Sequence, residues 1–378
     1  MKRKKTTKPA PEIEPADLPG NLGYRMPAEW EPHEATWIAW PHNREDWPGK
    51  FSPVPWVYTE IVRLLTRHEP VNVLIEGVWE FDRLRNRLDA AGADLDRLAF
   101  VACRTDRVWL RDSAPTFIKK DAENSTPESI GLVNWKFNAW AKYENHKHDV
   151  KIGERIAKPL GFPRWTPRAE IDETQKRVVL EGGAIDVNGR GTLLTTEECL
   201  LSDIQERNPG LDREGYGKLF ADYLGVSNVV WLGRGIDGDD THGHVDDLAR
   251  FVGPKTIVCV VEKKTSDPNY EPLQDNWRRL KEARDQDGDP FELVELPMPE
   301  PVVFESQRLP ASYANFYIAN GIVIVPTFND PNDRIALNVL ASLFPDREVI
   351  GVHAVDLVLG LGTLHCLTQQ QPASETSD

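Results

Sequence analysis

Near its C-terminus the chain reads Gly360-Leu361-Gly362-Thr363-Leu364-His365-Cys366-Leu367-Thr368-Gln369-Gln370-Gln371-Pro372. An apolar run, Val355 to Leu359, feeds into the glycines, which lack a Cβ and let backbone approach a bound group closely. A cysteine just beyond such a turn, in a chain without a CxxC pair, is a candidate nucleophile. By residue type alone, a small buried thiol at a strand end fits as well.

A second constellation is Thr241-His242-Gly243-His244-Val245-Asp246-Asp247. If His244 to Asp246 begin a strand running toward Phe251, both side chains leave the same face. A histidine beside a carboxylate is a general acid/base arrangement, because the carboxylate sets its tautomer and proton affinity. A polar surface loop is the bland alternative. Zinc binding through His242, His244 and Asp246 is the sharper one, although Asp247 stands where such runs place another histidine and no histidine cluster follows to complete a site. Two further segments place a carboxylate at the end of an apolar strand: Trp109-Leu110-Arg111-Asp112-Ser113-Ala114-Pro115, with Asp106 upstream, and Leu180-Glu181-Gly182-Gly183-Ala184-Ile185-Asp186. Singly, each fits a turn or a structural ion pair.

The elements that would position these groups alternate strand and helix. Strands are expected over 35–40, 71–75, 98–103, 114–118, 130–137, 229–232, 256–261, 292–296, 322–326 and 348–352. Helices are expected over 56–65, 79–91, 212–224, 272–284 and 331–343, with Gly92 and Gly225 as stops. Residues 138–165 read as helix plus loop and 121–128 as an exposed turn. Asp186-Val187-Asn188-Gly189 reads as a hairpin turn between strands at 176–180 and 191–195. The stretches beginning at Gly191 and Gly321 share one plan: glycine, apolar strand, polar turn, helix, strand. That weak repeat suggests one large repeat-built domain.

The chain has 378 residues, 40% of them hydrophobic and 28% charged, the composition of an ordinary globular protein. No apolar run approaches the ~20 residues of a membrane-spanning helix. Residues 1–22 read as a basic, proline-rich tail without the apolar core of a signal peptide, and 373–378 as a polar tail, so a cytoplasmic location is expected. Cys103, Cys199, Cys259 and Cys366 are too few for a disulfide scaffold. Net charge is −15, and Lys2, Arg3, Lys4, Lys5 and Lys8 all lie in the tail, so the rest is more acidic still. Such a body repels nucleic acid and anionic lipid and favours a cationic small molecule.

Taken in order, the motifs W-x-RD, EGG, GHxD and G-x-G-x-x-HC-x-TQQQP form one signature. With Met26-Pro27-Ala28-Glu29-Trp30-Glu31-Pro32-His33 and Tyr313-x-Asn315-Phe316-Tyr317, it resembles the bacterial agmatine deiminases. These belong to the guanidino-group-modifying (pentein) superfamily, with the arginine deiminases and the Porphyromonas-type peptidyl-arginine deiminases. The resemblance runs from Tyr24 to Pro372. It implies an α/β fold: a five-bladed propeller of ββαβ units forming a single catalytic domain over 23–372. It also implies roles: Cys366 as nucleophile, His244 as general acid/base, Asp112 and Asp246 as guanidinium-binding carboxylates, and Glu181 supporting histidine and substrate. Gly362, in the glycine run before the nucleophile, is expected to be substrate-binding. Trp109 and Asp240 are the candidates for holding the amine end of agmatine. No metal or organic cofactor is implied, and a homodimer is compatible with the resemblance.

The chain departs from the family pattern at Leu361, which interrupts the glycine run, and at Ala114, where glycine is usual. Free arginine as substrate would require a partner for its carboxylate, for which Arg25, Arg111 and Arg234 lie near the motifs. A non-catalytic binding protein on the same shell, an amidinotransferase using the same covalent intermediate, and the zinc hydrolase remain open alternatives.

Overall fold

The computed structural model describes residues 17–120, 129–171 and 173–374. The turn expected at 121–128 and both outermost tails lie outside the described residues.

Five sheets share one local plan, in which a short strand pairs antiparallel with a central strand and that strand pairs parallel with the next. Four sheets follow chain order. They are Thr116–Lys119, Ile130–Val133 and Arg164–Trp165; Asp186–Val187, Thr192–Thr196 and Asn228–Leu232; Ala249–Phe251, Thr256–Val261 and Glu292–Pro297; and Tyr317–Ala319, Ile322–Thr327 and Glu348–His353. A helix carries each parallel crossover: Ile152–Leu160, Arg213–Leu224, Tyr270–Glu282 and Pro331–Leu343. The fifth sheet is assembled from both ends of the chain. Thr368–Pro372 pairs antiparallel with His33–Ala39, which runs parallel to Val71–Ile75 and through it to Leu98–Ala102. This is the expected five-bladed α/β propeller of ββαβ units, three more repeats than are visible in the sequence.

Local chemistry sets these elements. The central strands, such as Leu193-Leu194 and Ile257 to Val261, are buried on both faces, which demands continuous apolar runs. Helix Arg213–Leu224 starts where Asp212 accepts the Gly215 N–H and stops at Gly225 with φ +66°, a left-handed value glycine adopts without Cβ strain. Helix Pro331–Leu343 opens on a reciprocal cap between Asp330 and Asp333, with Pro331 in its first turn.

Two expectations are corrected. The Asp186-Val187-Asn188-Gly189 turn does form a hairpin, but its first strand is Asp186–Val187, paired with Leu193 and Leu194. Thr174–Arg177 pairs instead with Arg168–Ile171. An alternating pattern shows that a segment is extended, not which neighbour it pairs with. Residues 17–22, expected within the tail, form a docked turn: Gly20 N–H donates to Asp222 O and Trp165 Nε1 donates to Asp17 O.

What matters for the site is the segment just before each inner strand. These are Leu110–Ser113, Gly182–Ala184, Val245–Asp247, the turn around Ser312–Asn315, and Leu364–Leu367. Each repeat therefore delivers polar side chains to the place where the five sheets meet.

Candidate active site

Cys366 sits in the helical turn Leu364–Leu367 and is buried. Its Sγ accepts from Asn315 Nδ2 at 3.1 Å and lies 3.8 Å from Asp246 Oδ2. Asn315 fixes the whole turn. Its Oδ1 accepts from Thr363 Oγ1 at 2.7 Å and from the His365 N–H at 3.0 Å, while Nδ2 also reaches Asp247 Oδ1 at 3.0 Å.

His244 and Asp246 do not begin a strand. Val245–Asp247 is a tight turn, and the strand starts at Ala249. The turn is pinned from outside, with Asp239 Oδ2 accepting the N–H groups of Gly243 and His244 at 2.8 and 3.1 Å. His244 still meets Asp246, with Nδ1 and Oδ1 4.0 Å apart, while Asp112 Oδ1 is 3.9 Å from Nδ1 and Glu181 Oε2 is 3.8 Å from Nε2. Among the described residues, neither ring nitrogen of His244 nor Asp246 Oδ1 has a hydrogen-bond partner.

The carboxylates are held differently. Asp112 accepts from the Gly183 N–H at 3.0 Å and from Trp140 Nε1 at 2.9 Å. Trp140 is presented by three consecutive left-handed residues, Ala139 to Ala141, a conformation costing ~1–2 kcal/mol per L-residue. Asp246 Oδ2 accepts from His365 Nδ1 at 2.7 Å. His365 Nε2 bonds Glu29 Oε2 at 2.8 Å, and Glu29 also accepts from Arg111, Arg250 and the Ile318 N–H. Both Glu181 oxygens face Arg207 Nε at 3.1 and 3.3 Å.

Burial and neighbouring charge set the proton affinities. Burial opposes charge on His244, but Asp112, Cys199 and Glu181 around it hold its pKa well above the ordinary imidazole value. Burial together with Asp246, Asp247 and Asp112 pushes the Cys366 thiol well up. Burial pushes up Asp112, which also faces Asp246 and Glu181. For the adjacent pair, burial and the Asp246 charge raise Asp247, while Asp246 itself is kept low against its burial by His365. Of the two, Asp246 is the one whose charge the surroundings favour.

Cys366, Asp112, Trp109, Gly362 and Asp240 line one cavity of about 480 Å³, with Trp140, Leu361, Asp46 and Arg107 also in its wall. His244, Asp246 and Glu181 stand behind these. A Cβ on Gly362 would come 2.9 Å from the Trp109 ring and 3.1 Å from Cys366 Cβ, so only glycine leaves this floor open. Asp240 reaches the wall, but Lys142 Nζ and Tyr143 OH hold its two oxygens. Of the departures from the family pattern, Ala114 has ordinary extended geometry, φ −80° and ψ 163°, so its methyl costs nothing. Leu361 has φ +68°, the left-handed value that explains why glycine is usual there.

The three side chains of the HxHxD run do not converge. His242, at φ +64°, turns its Nε2 to Ser202 Oγ at 3.1 Å and lines a separate surface recess. Glu181, Cys199 and His244 do bring ligand atoms within 4.8 Å of one another. The Arg207 guanidinium already on Glu181 opposes a dication there.

Sequence reasoning passed over Asn315, Glu29, His365 and Asp46 as site residues. Asn315 lies in the segment just before the first strand of its repeat, as Asp112 and Cys366 do in theirs.

Gly183 leads to a prediction. A Cβ on it would lie 2.5 Å from His244 Nδ1, 3.0 Å from Asp112 Oδ1 and 3.1 Å from Asp246 Oδ2. Gly183→Ala is expected to lower kcat/KM by at least about a hundredfold, since misplacing reacting groups by ~1 Å costs that much, while near-UV circular dichroism stays that of the folded protein. Unchanged kinetics would show that these three groups need not converge.

Residues 25–372 match the family described as Porphyromonas-type peptidyl-arginine deiminase. The agmatine deiminase of Pseudomonas aeruginosa (strain LESB58) is 35% identical, over 95% of this chain and 98% of that protein. The solved agmatine deiminase of Enterococcus faecalis superposes with a TM-score of 0.84 at 32% identity, covering 95% of this chain and 98% of that one. A cysteine-to-serine form of the C. jejuni agmatine deiminase with substrate bound superposes with a TM-score of 0.79 at 29% identity, covering 92% and 96%. With the match spanning all five blades and every motif of the site, the chain belongs to the Porphyromonas-type peptidyl-arginine deiminase family.

Proposed function

We propose that the protein hydrolyses agmatine to N-carbamoylputrescine and ammonia, with Cys366 as nucleophile and His244 as general acid and base. The observation that carries this reading is the convergence of the buried Asp112 and Asp246 carboxylates on Gly183 and His244 beside the Cys366 thiol, with Asp246 Oδ1 lacking a donor among the described residues. A guanidinium is planar, cationic and rich in N–H donors, and paired carboxylates recognise it in bidentate fashion.

The proton affinities supply the order of events. In the free site burial and the carboxylates favour Cys366 as a thiol, and the carboxylates favour His244 as imidazolium. A guanidinium between Asp112 and Asp246 offsets their charge, so the thiol loses its proton to solvent on binding. The thiolate forms an S–C bond to the guanidinium carbon. His244 gives its proton to the departing nitrogen, the C–N bond breaks, ammonia leaves and an amidino-cysteine remains. Neutral His244 then takes a proton from water, whose oxygen adds to the same carbon. The C–S bond breaks, the added hydroxyl gives its proton to solvent, and the thiolate returns with the ureido product. Glu181, anchored by Arg207, stabilises the imidazolium. Metal is not required by these steps.

Agmatine is favoured over free arginine by the wall of the cavity. Arg25 is paired with Glu31, Arg111 with Glu29, and Arg234 lines the separate recess. Arg107 does reach the cavity, but its Nη1 and Nη2 donate to Asn145 at 2.8 Å each. A reducing, cytoplasmic setting suits a thiol nucleophile.

The test is intact-mass spectrometry during turnover, with ammonia assayed alongside, on agmatine, arginine and an arginine-containing peptide in parallel. The expected result is ammonia release and a transient amidino mass with agmatine. Release from arginine or the peptide alone would overturn the substrate; ammonia without an adduct under rapid quench would count against the nucleophile.

A further inference from the structure

We infer that Asp46 is the carboxylate that binds the distal ammonium of the substrate. This deepens the deiminase reading above and rests on it. Asp46 lines the same cavity as Cys366, in the loop between the first strand, His33–Ala39, and the helix Val54–Leu65. Trp109 and Trp140 form the aromatic part of that wall, and the fully buried Trp47 backs Trp109 from behind. Trp109 lies against Gly362 beside the nucleophile, its ring centroid is 5.8 Å from that of Trp47, and Trp47 follows Asp46 in the chain. A tetramethylene chain fits such an apolar, aromatic wall, with a charge at each end.

Other carboxylates on the wall are less suited. Asp240 is neutralised by Lys142 and capped by Tyr143. Glu45 and Glu305 are exposed at the rim, where water screens an ion pair. Asp46 is mostly buried. Its Oδ1 accepts from Asn43 Nδ2 at 3.0 Å, while Oδ2 is buried without a partner among the described residues. Arg107 Nε approaches Oδ1 only to 3.8 Å, and its two terminal nitrogens are committed to Asn145. A buried carboxylate with an unused oxygen is costly unless a cation completes it.

The groups facing Asp46 are Arg107, Glu45 beside it in the loop, Asn43, and the phenols of Tyr58 and Tyr143, whose ionisation its charge opposes. Burial raises its pKa, Arg107 opposes the rise and Glu45 adds to it, and together they bring it to about 7. Below that pH the free enzyme holds Asp46 protonated. An ammonium binds the ionised form, so affinity for the amine end grows as pH rises through about 7.

The experiment compares agmatine with n-pentylguanidine, which replaces the amine by a methyl group and keeps the guanidinium. Both substrates share the ionisations of Cys366 and His244, so the ratio of their kcat/KM values isolates the distal end. The wild-type ratio is expected to rise as pH rises from 6 to 8, and Asp46→Asn is expected to lower it by roughly ten- to a hundredfold at pH 8, the scale of a hydrogen bond to a charged group. A pH-independent wild-type ratio overturns the assignment even if the variant does not fold. Equal loss on both substrates overturns it too, because it marks a structural role alongside Asn43 and Arg107. Turnover of n-pentylguanidine with none of agmatine defeats the proposed function itself, and the role of Asp46 with it.

Discussion

Cys366→Ser removes turnover by at least about a thousandfold while the guanidinium still binds. A hydroxyl has the right size but is a far weaker nucleophile, and nothing here deprotonates it: His244 is held as imidazolium, and Asp246 already accepts from His365. The carboxylates that grip the cation are untouched, so agmatine affinity measured by calorimetry should stay within a few-fold of the wild-type KM. The serine form also loses the amidino mass. Residual turnover above a few per cent would place the nucleophile elsewhere, and loss of binding together with turnover would show that the turn around residue 366 had collapsed. Asn315→Ala makes a useful companion: it leaves the thiol but frees the turn that Asn315 Oδ1 fixes, so kcat should fall more than KM rises.

Glu29→Gln carries the largest expected cost in stability. Glu29 is buried, yet it accepts from Arg111 at 3.1 Å, Arg250 at 2.9 Å, His365 at 2.8 Å and the Ile318 N–H at 2.9 Å. Neutralising it leaves two buried guanidinium groups short of their counter-charge, and removing one partner of such a network costs about 3–5 kcal/mol. Asp186 and Gln370 retain some contact with Arg250 and Arg111, which limits the loss. The urea midpoint should fall accordingly. Activity should fall as well, because Glu29 orients His365 and His365 orients Asp246. The pH dependence has a definite sign. Burial opposes the charge on Glu29, but Arg250, His365 and Arg111 hold its folded pKa well below the ordinary value of 4.5. Its contribution is therefore complete above about pH 4.5 and is lost as pH falls through the lower folded value. Wild-type acid unfolding should show that loss, and Glu29→Gln should lack it. A variant as stable as wild type at neutral pH would mean that the network carries no net stabilisation.

The two experiments touch residues of different legibility. Cys366, His244, Asp246, Asp112 and Glu181 stand in short motifs that are legible through their order along the chain, not through any one residue type. The geometry that joins them does not follow from spacing. His244 and Asp246 meet through a tight turn rather than a shared strand face, because Asp239, five residues before His244, captures the turn's N–H groups. Glu29 lies in the Met26–His33 motif, but nothing in that motif marks it as a hub, because its four donors come from positions 111, 250, 318 and 365. Asp46 is equally mute in sequence: only the folded wall places it in a cavity with Cys366. Strand and helix positions were largely readable, because apolar β-branched runs and capping residues are local signals. Strand partnership was not, as the hairpin at Arg168–Arg177 shows.

The closure of the fifth sheet governs when activity can exist. His33 pairs with Pro372 and Ile38 with Thr368, so the strand that follows the nucleophile is held by a strand that precedes all the others of the ring. A nascent chain can complete four blades and still lack the fifth, because Thr368–Pro372 follows every strand of the other four sheets in chain order. Contacts this distant in sequence are slow to form, since the intervening chain's entropy is lost before they reward it. Deamination is thus a report on ring closure: a molecule clipped before Thr368 keeps four intact sheets and makes no ammonia.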